Sequence, residues 1–248
     1  MLSLFDLYFW TILAGVLAAP VLALLGAQLA TREKAIQTLC VGQGALVGVL
    51  LGLGILHAWE DTLIGAFGPF LAALLFSAGT FLATDILVAK RMASKNTIFI
   101  FIFALLLALG NLVSAIFPAL ESHMAQIYFG DLATLSVLNS KIVLGASLVS
   151  ILILMFNSKT ISNQSFEAAI YGTSAGIKRA GIGLVLFKLL TIAILCFSVQ
   201  FVGFLYTISM LFLPTALLSY LRSAQHNFGI EHTERCQVTE VNLGHVTF

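Results

Sequence analysis

The feature that most limits what this chain can fold into is the recurrence of apolar runs long enough to cross a bilayer, with charged residues confined to the gaps between them. A helix crosses the hydrocarbon core with about 20 apolar residues. Lipid offers no partner for backbone polar groups, so such runs must be helical. The expected class is therefore all-α: a polytopic transmembrane helical bundle. Composition agrees, because a chain that is 60% hydrophobic and only 9% charged cannot cover itself with a water-soluble surface. The net charge of +1, with no basic stripe interleaved with aromatics, points away from nucleic acid as a partner. Cys40, Cys196 and Cys236 are too widely spaced for a zinc knuckle or redox motif and read as packing residues.

Spans are expected at Tyr8 to Ala30, Leu39 to Trp59, Leu63 to Ala89, Thr97 to Pro118 and Ile142 to Phe156. The run from Gly181 to Leu221 is too long for one crossing, since a single helix there would extend to roughly 60 Å, twice the hydrocarbon thickness. Its one polar cluster, "SVQFVG" from Ser198 to Gly203, is the expected turn, and Pro214 is expected to interrupt the second half. This makes about seven spans. The first run is too long for a signal-peptide core and carries Asp6 instead of a basic leader, so it is expected to remain as a membrane helix.

Lys and Arg gather after the first, third, fifth and seventh spans (Arg32, Lys34, Lys90, Arg91, Lys95, Lys159, Lys178, Arg179, Arg222). Acidic residues Glu60, Asp61, Glu121 and Asp131 lie in the alternate loops. Cytoplasmic loops are the ones enriched in cations, so the N-terminus is expected outside. Residues 1–222 form the membrane domain in this reading, and 223–248 a short polar cytoplasmic tail. The outer connection Leu120 to Lys141 reads as a re-entrant or interfacial segment. The inner one, Asn157 to Ala180, becomes amphipathic from Phe166 onward and is expected to hold a short cytoplasmic helix, with Glu167 early and Lys178 and Arg179 late, as the helix dipole favours.

Within the second span, "CVGQGALVG" (Cys40 to Gly48) combines a carboxamide with small residues. Gly44, Gly48 and Gly52 recur every four residues and stack on one face, where another helix can approach closely. Leu39, Gln43 and Val47 form the adjacent stripe, about 100° round. A buried amide there serves either as interhelical glue, contributing roughly 0.6 to 2 kcal/mol, or as part of a polar path through the bundle.

Four segments in order carry a resemblance. "TREKAIQTLCVGQGALVGVLLG" (Thr31 to Gly52) is similar to the end of the first span and the second span of the membrane subunits of zinc- and manganese-type ABC importers. "YFGDLATLS" (Tyr128 to Ser136) resembles that family's FGD-type segment. "SFEAAIYGTSAGIK" (Ser165 to Lys178) resembles its cytoplasmic coupling segment, with one residue inserted, and "QFVGFLYTISMLFLPTALLSYL" (Gln200 to Leu221) its proline element. The family carries Asp and His, four residues apart, on the second helix. This chain has Leu39 and Gln43 there, and an amide carbonyl is a poor zinc ligand. Cys40, one turn before Gln43, is a minor candidate for a soft ligand, although a lone membrane cysteine is more often core. Relative to the family, the polar stretch from Ser223 is expected to replace further membrane helices.

The resemblance implies a permease in a bacterial inner membrane that pairs with a second copy of itself and with cytoplasmic ABC ATPases. It implies an extracytoplasmic metal-binding protein that delivers zinc, manganese or a metal complex. Leu39, Cys40, Gln43 and Asp131 are the implied substrate path, and Phe166, Glu167, Gly172 and Gly176 the implied ATPase coupling residues. No cofactor is expected on this chain itself, and no enzyme activity: it has no G-x-x-x-x-G-K-[ST] loop, so ATP belongs to the partner ATPase. It also has no catalytic motif of the His-Glu-x-x-His or Gly-x-Ser-x-Gly kind. Two other readings stand beside this one. A degenerate subunit would serve an intact paralogue without transporting. An ATPase-independent secondary transporter would use charges such as Lys188 and Asp85, which are otherwise expected to snorkel toward the inner interface.

Overall fold

The computed structural model describes residues 4–30, 35–56, 63–90, 93–130, 137, 139–156 and 182–221. Among them every regular element is helical. In chain order these are α1 (Leu4–Ala30), α2 (Ala35–Leu56), α3 (Leu63–Ala89), α4 (Lys95–Ile116), a 3₁₀ turn (Pro118–Leu120) and α5 (Glu121–Phe129). They continue with α6 (Asn139–Phe156), α7 (Ile182–Phe201) and α8 (Phe204–Leu221). Among the described residues six helices are long and apolar enough to cross a membrane, and α7, of 20 residues, is a further apolar helix between them. The protein is a multi-pass membrane helical bundle, as expected.

Helix starts lie earlier than hydropathy placed them: α2 begins at Ala35 instead of Leu39, and α4 at Lys95 instead of Thr97. The reason is visible at α4. Ser94 is extended (φ −60°, ψ 147°) and its hydroxyl accepts the Thr97 N–H at 3.3 Å, so the helix is capped before its apolar run begins. At its other end the Phe117 N–H closes on Val113 O, and Pro118 stops propagation.

The bundle is built around α2. Its residues from Cys40 to Leu50 are all buried, so neighbours enclose it on every side. The outer helices instead direct large apolar side chains outward: Ile12 and Val16 on α1, Leu71, Leu75 and Leu82 on α3, Ile100 and Phe101 on α4. That inversion suits a protein solvated by lipid, where exposed leucine costs nothing and the tightly packed helix lies at the centre.

Partner contacts set the directions. Gln37 meets Thr84 at one end of α2, and Gly52 meets Pro69 at the other, so α2 and α3 are antiparallel. Lys188 lies at Asp85 and Cys196 at Ser77, so α7 is antiparallel to α3 as well. Tyr206 reaches Gly15, and Leu211 packs against Gly26, which runs α8 parallel to α1. The chain therefore reverses between α7 and α8.

The reversal is tighter than the expected six-residue turn. α7 stays helical through Phe201, and the turn is Val202–Gly203, whose N–H groups both close on Ser198 O at 2.8 and 3.1 Å. Gly203 has φ +102°, a conformation that a glycine adopts at little cost. A Ser198–Thr207 hydroxyl bond of 2.7 Å then ties the two helix ends together. The expected interruption at Pro214 does not occur, and α8 is continuous through it. Prolines are tolerated inside membrane helices, where the surroundings can satisfy the freed carbonyl.

Of the expected re-entrant connection Leu120 to Lys141, the described part up to Gly130 packs on the bundle, and 131–136 lie outside the described residues. After the 3₁₀ turn, α5 brings the Tyr128 ring edge-on to Phe204 at 6.4 Å, with its hydroxyl beside Gly110 of α4. The inner connection 157–181, where the coupling helix is expected, and the tail 223–248 lie outside the described residues.

Candidate functional site

Of the expected path residues, three lie on α2. Leu39 is half-buried. Cys40 is buried with Val47 against Ile98, Phe99, Ile102 and Leu106 of α4, and its thiol donates to Phe99 O at 3.1 Å. That contact uses the thiol to join two helices. Gln43 is 1% exposed, and its Nε2 finds no hydrogen-bond partner among the described residues. An unmet buried donor of this kind costs roughly 1 to 3 kcal/mol. Asp131, the fourth expected path residue, lies outside the described residues, although its neighbour Gly130 is well placed against the α7–α8 turn. Among the described residues His, Cys, Asp and Glu side chains form no group of three or more that suits a metal ion.

Gly44, Gly48 and Gly52 all face α3. A Cβ on Gly48 would stand 2.6 Å from Ala72 O and from Ala73 Cα, and one on Gly52 would stand 2.6 Å from Pro69 Cα. Thr80 lies over Gly44. Backbone is thus laid on backbone along most of the α2–α3 contact, and the pair forms one stiff unit.

The polar side chains that the structure brings together at the α3 C-terminal end of the bundle are different from the ones expected. Asp85 of α3 accepts from Gln37 Nε2 of α2 at 2.8 Å through one oxygen, and from Lys188 Nζ of α7 at 3.4 Å through the other. Gln37 also donates to Thr84 Oγ1 at 3.0 Å, and Thr84 donates in turn to Phe81 O at 2.7 Å. The Lys188 ammonium lies 4.9 Å from the Phe81 ring centroid. Lys188 and Asp85, each expected to snorkel toward the inner interface, lie beside one another as an ion pair, with side chains 31% and 39% exposed. Each offsets the other's charge, and the pair joins α7 to α3. Gln37 lies two residues before the expected start of the second span at Leu39, where a glutamine reads as interfacial, and the earlier helix start at Ala35 brings it into the bundle.

Higher on α7, Cys196 donates to Ser77 Oγ at 3.2 Å, and Ser77 donates to Val41 O at 3.1 Å, a second chain of contacts across α7, α3 and α2. Other hydroxyls bond within their own helices, as with Thr80 to Phe76 O, Thr191 to Phe187 O and Ser114 to Gly110 O. Such groups are neutralised locally and add no polar lining. A separate cavity of about 240 Å³ lies among Val21 of α1, Phe70 of α3, Val143 and Ser147 of α6, and Leu190 and Phe197 of α7. None of the expected path residues lines it.

Two of the motif segments meet. Gly130, φ +76°, ends the "YFG" run, and Gly203, φ +102°, sits in the α7–α8 turn. Their backbones are in direct contact, and Val202 O fills the space beside Gly130 where a Cβ would point.

Residues 4–228 match the ABC 3 transport family. The chain belongs to the ABC 3 transport family. That agrees with the resemblance to membrane subunits of zinc- and manganese-type ABC importers carried by the four segments. Among solved structures, the chain is similar to PsaBC from Streptococcus pneumoniae in complex with Fab, with 18% identity and a TM-score of 0.62 over 83% of this chain and 70% of that one. At that identity the likeness is one of fold. None of the curated proteins matches the chain. Of the Thr31 to Gly52 segment, Ala35 onward lies in the enclosed helix α2, and Gln200 to Leu221 supplies the turn and α8. The coupling candidates Phe166, Glu167, Gly172 and Gly176 lie outside the described residues.

Proposed function

We propose that this chain is the membrane subunit of an ABC-type importer that moves a divalent metal ion, of the zinc or manganese class, or a metal complex, into the cytoplasm. The observation that carries this reading is the family match across residues 4–228, which takes in all four motif segments, including the coupling segment from Ser165 to Lys178. In this reading two copies of the chain enclose the path. Two ATPases press on Phe166 to Ile177, and an extracytoplasmic metal-binding protein in a bacterial inner membrane setting delivers the cargo. ATP-driven closure then rocks helices between two discrete packings, and hydrolysis belongs to the partner subunit. The tightly joined α2–α3 pair supports a rigid-body motion of this kind, because glycine-to-backbone packing leaves little room for sliding.

The metal path is the weakest part of the family pattern here, and a specific observation favours a second reading. Leu39 and Gln43 stand where the resemblance places the family's Asp and His, and Gln43 is buried with its Nε2 lacking a partner among the described residues. A subunit that no longer carries metal and instead supports an intact paralogue fits that burial. One experiment separates the two. The chain is co-expressed with a cognate ATPase, and uptake of Zn²⁺ and of Mn²⁺ is measured for wild type and for the double variant Leu39→Asp, Gln43→His. The importer reading expects measurable wild-type uptake that rises in the variant. ATPase association without uptake in either protein selects the supporting subunit. Bulky substitutions at Glu167 or Gly176 that leave association and ATPase stimulation intact would remove the coupling assignment.

A further inference from the structure

Where α2 and α3 close on each other, α1, α6 and α7 stand apart around the cavity of about 240 Å³. Along α7 its wall is Leu190, Ala193, Ile194, Phe197 and Ser198, one helical face. Six wall positions carry small side chains: Ala18 of α1, Ala146, Ser147 and Ser150 of α6, and Ala193 and Ser198 of α7. Phe70 of α3, edge-on to Phe197 at 6.5 Å, closes the far side. Short side chains on three facing helices leave a slot instead of a seam. It follows α7 from Leu190 to Val202, about 18 Å of helix.

The wall decides what can fill the slot. No charged residue lines it. Two of its hydroxyls are already used: Ser150 donates to Ala146 O at 2.7 Å, and Ser198 is tied to Thr207 at 2.7 Å. Ser147 is 6% exposed and has no hydrogen-bond partner among the described residues. A serine so placed can return its proton to the carbonyl one turn back. A metal ion or a charged group would stand there unpaired, and a water would lack the two to four polar partners it needs. Hydrocarbon meets neither objection, and it restores dispersion contacts that an empty slot forfeits.

Two further observations say where the hydrocarbon comes from. The slot opens sideways at Val149, which is 54% exposed on the α6 face that also turns Leu148 and Leu152 outward. In a bundle of crossing helices that face meets the bilayer. At one end of the slot Val143 and Val202 pack with Ala14 of α1, and just beyond them the exposed Lys141 ammonium lies 5.1 Å from the Trp10 ring centroid. Tryptophan and lysine at the end of a span lie at headgroup level, where an ammonium attracts lipid phosphate.

We propose that the slot holds one acyl chain of a bilayer phospholipid, lying lengthwise against α7, with the lipid phosphate at Lys141. The lipid then fills the space between α6 and the α1 and α7 faces. This inference stands apart from what the chain transports.

The full chain is purified in a mild detergent and examined by native mass spectrometry for retained phospholipid. Wild type should keep one lipid per chain. Ala193→Phe fills the slot and should lower retention by about tenfold, the scale expected when a well-fitted group is displaced by overpacking, with an unchanged or higher melting temperature in detergent alone. Ala146→Leu fills it from the opposite wall and serves where Ala193→Phe does not fold. Lys141→Gln should lower retention by up to about fivefold, the range of an exposed charge pair. A separate reading needs no variant. Delipidated wild type should gain melting temperature with dioleoyl phosphatidylglycerol, saturating at one per chain, and not with the dihexanoyl lipid of the same headgroup. Equal retention in wild type and in a folded slot-filling variant means surface lipid only and overturns the proposal. So does equal stabilisation by the long and short chains. A slot-filling variant that loses self-association while keeping its lipid assigns the slot to a second copy and overturns it as well. Unchanged retention in Lys141→Gln overturns the headgroup assignment.

Discussion

The Cα of Gly130 fills the space into which a Cβ on Gly203 would project, so the end of α5 meets the α7–α8 reversal without a side chain between them. Gly203→Ala is expected to destabilise the protein by about 2 kcal/mol or more, because the left-handed backbone and the contact both oppose the methyl group. Thermal unfolding in detergent, followed by size-exclusion fluorescence, checks it. Gly79→Ala is the control, since a Cβ there meets nothing within 4 Å. That change should be neutral or stabilising by up to about 1 kcal/mol through helix propensity.

Gly48→Ala on α2 should cost about 1 to 3 kcal/mol by overpacking against Ala72 and Ala73, where the nearest atoms are backbone and cannot rotate away. Gly145→Ala on α6, where nothing lies within 4 Å, should fall within about 0.5 kcal/mol of wild type. Melting temperatures of the two variants, measured side by side, should differ in that order.

Gln43→Leu removes a buried amide whose Nε2 has no partner among the described residues. Stability is expected to hold or to rise by about 1 kcal/mol, since an apolar side chain of similar size needs no hydrogen bond. A clear loss of stability in chemical or thermal unfolding would show that the amide has partners in the assembled transporter.

Cys40 and Cys196 are both buried, with their thiols turned to Phe99 O and Ser77 Oγ. In a Cys236→Ser background neither should react with a membrane-permeant maleimide while the protein is folded, and both should react after denaturation in sodium dodecyl sulfate. Labelling read by intact mass over a time course gives the result directly. Reaction of Cys40 in the folded protein would mean that α2 and α4 separate at that level.

Much of the fold was legible because bilayer thickness acts on each apolar run independently. Each of the seven expected crossings appears as an apolar helix among the described residues, α7 included at 20 residues, and the reversal inside Gly181 to Leu221 follows from length alone. Pro214 misled, because a proline rule drawn from water-soluble helices overstates the cost in a membrane helix. The site was less legible. Gln43 looked like the edge of a path since a helical repeat gives faces, yet it does not say that neighbours cover every face of α2. Lys188 and Asp85 looked like separate snorkelling charges, because nothing local connects two residues 103 positions apart.

What the amino-acid order determined by itself was the set of crossing helices and the glycine face on α2. Both depend on properties of short segments: the length of apolar chain needed to span lipid, and the absence of a Cβ at every fourth residue. Only the tertiary structure decided which surfaces meet. The pairing of Asp85 with Gln37 and Lys188, and of Gly130 with Gly203, arises where helices distant in sequence are packed side by side, and a part-buried charge or a bare backbone takes whatever partner that packing supplies.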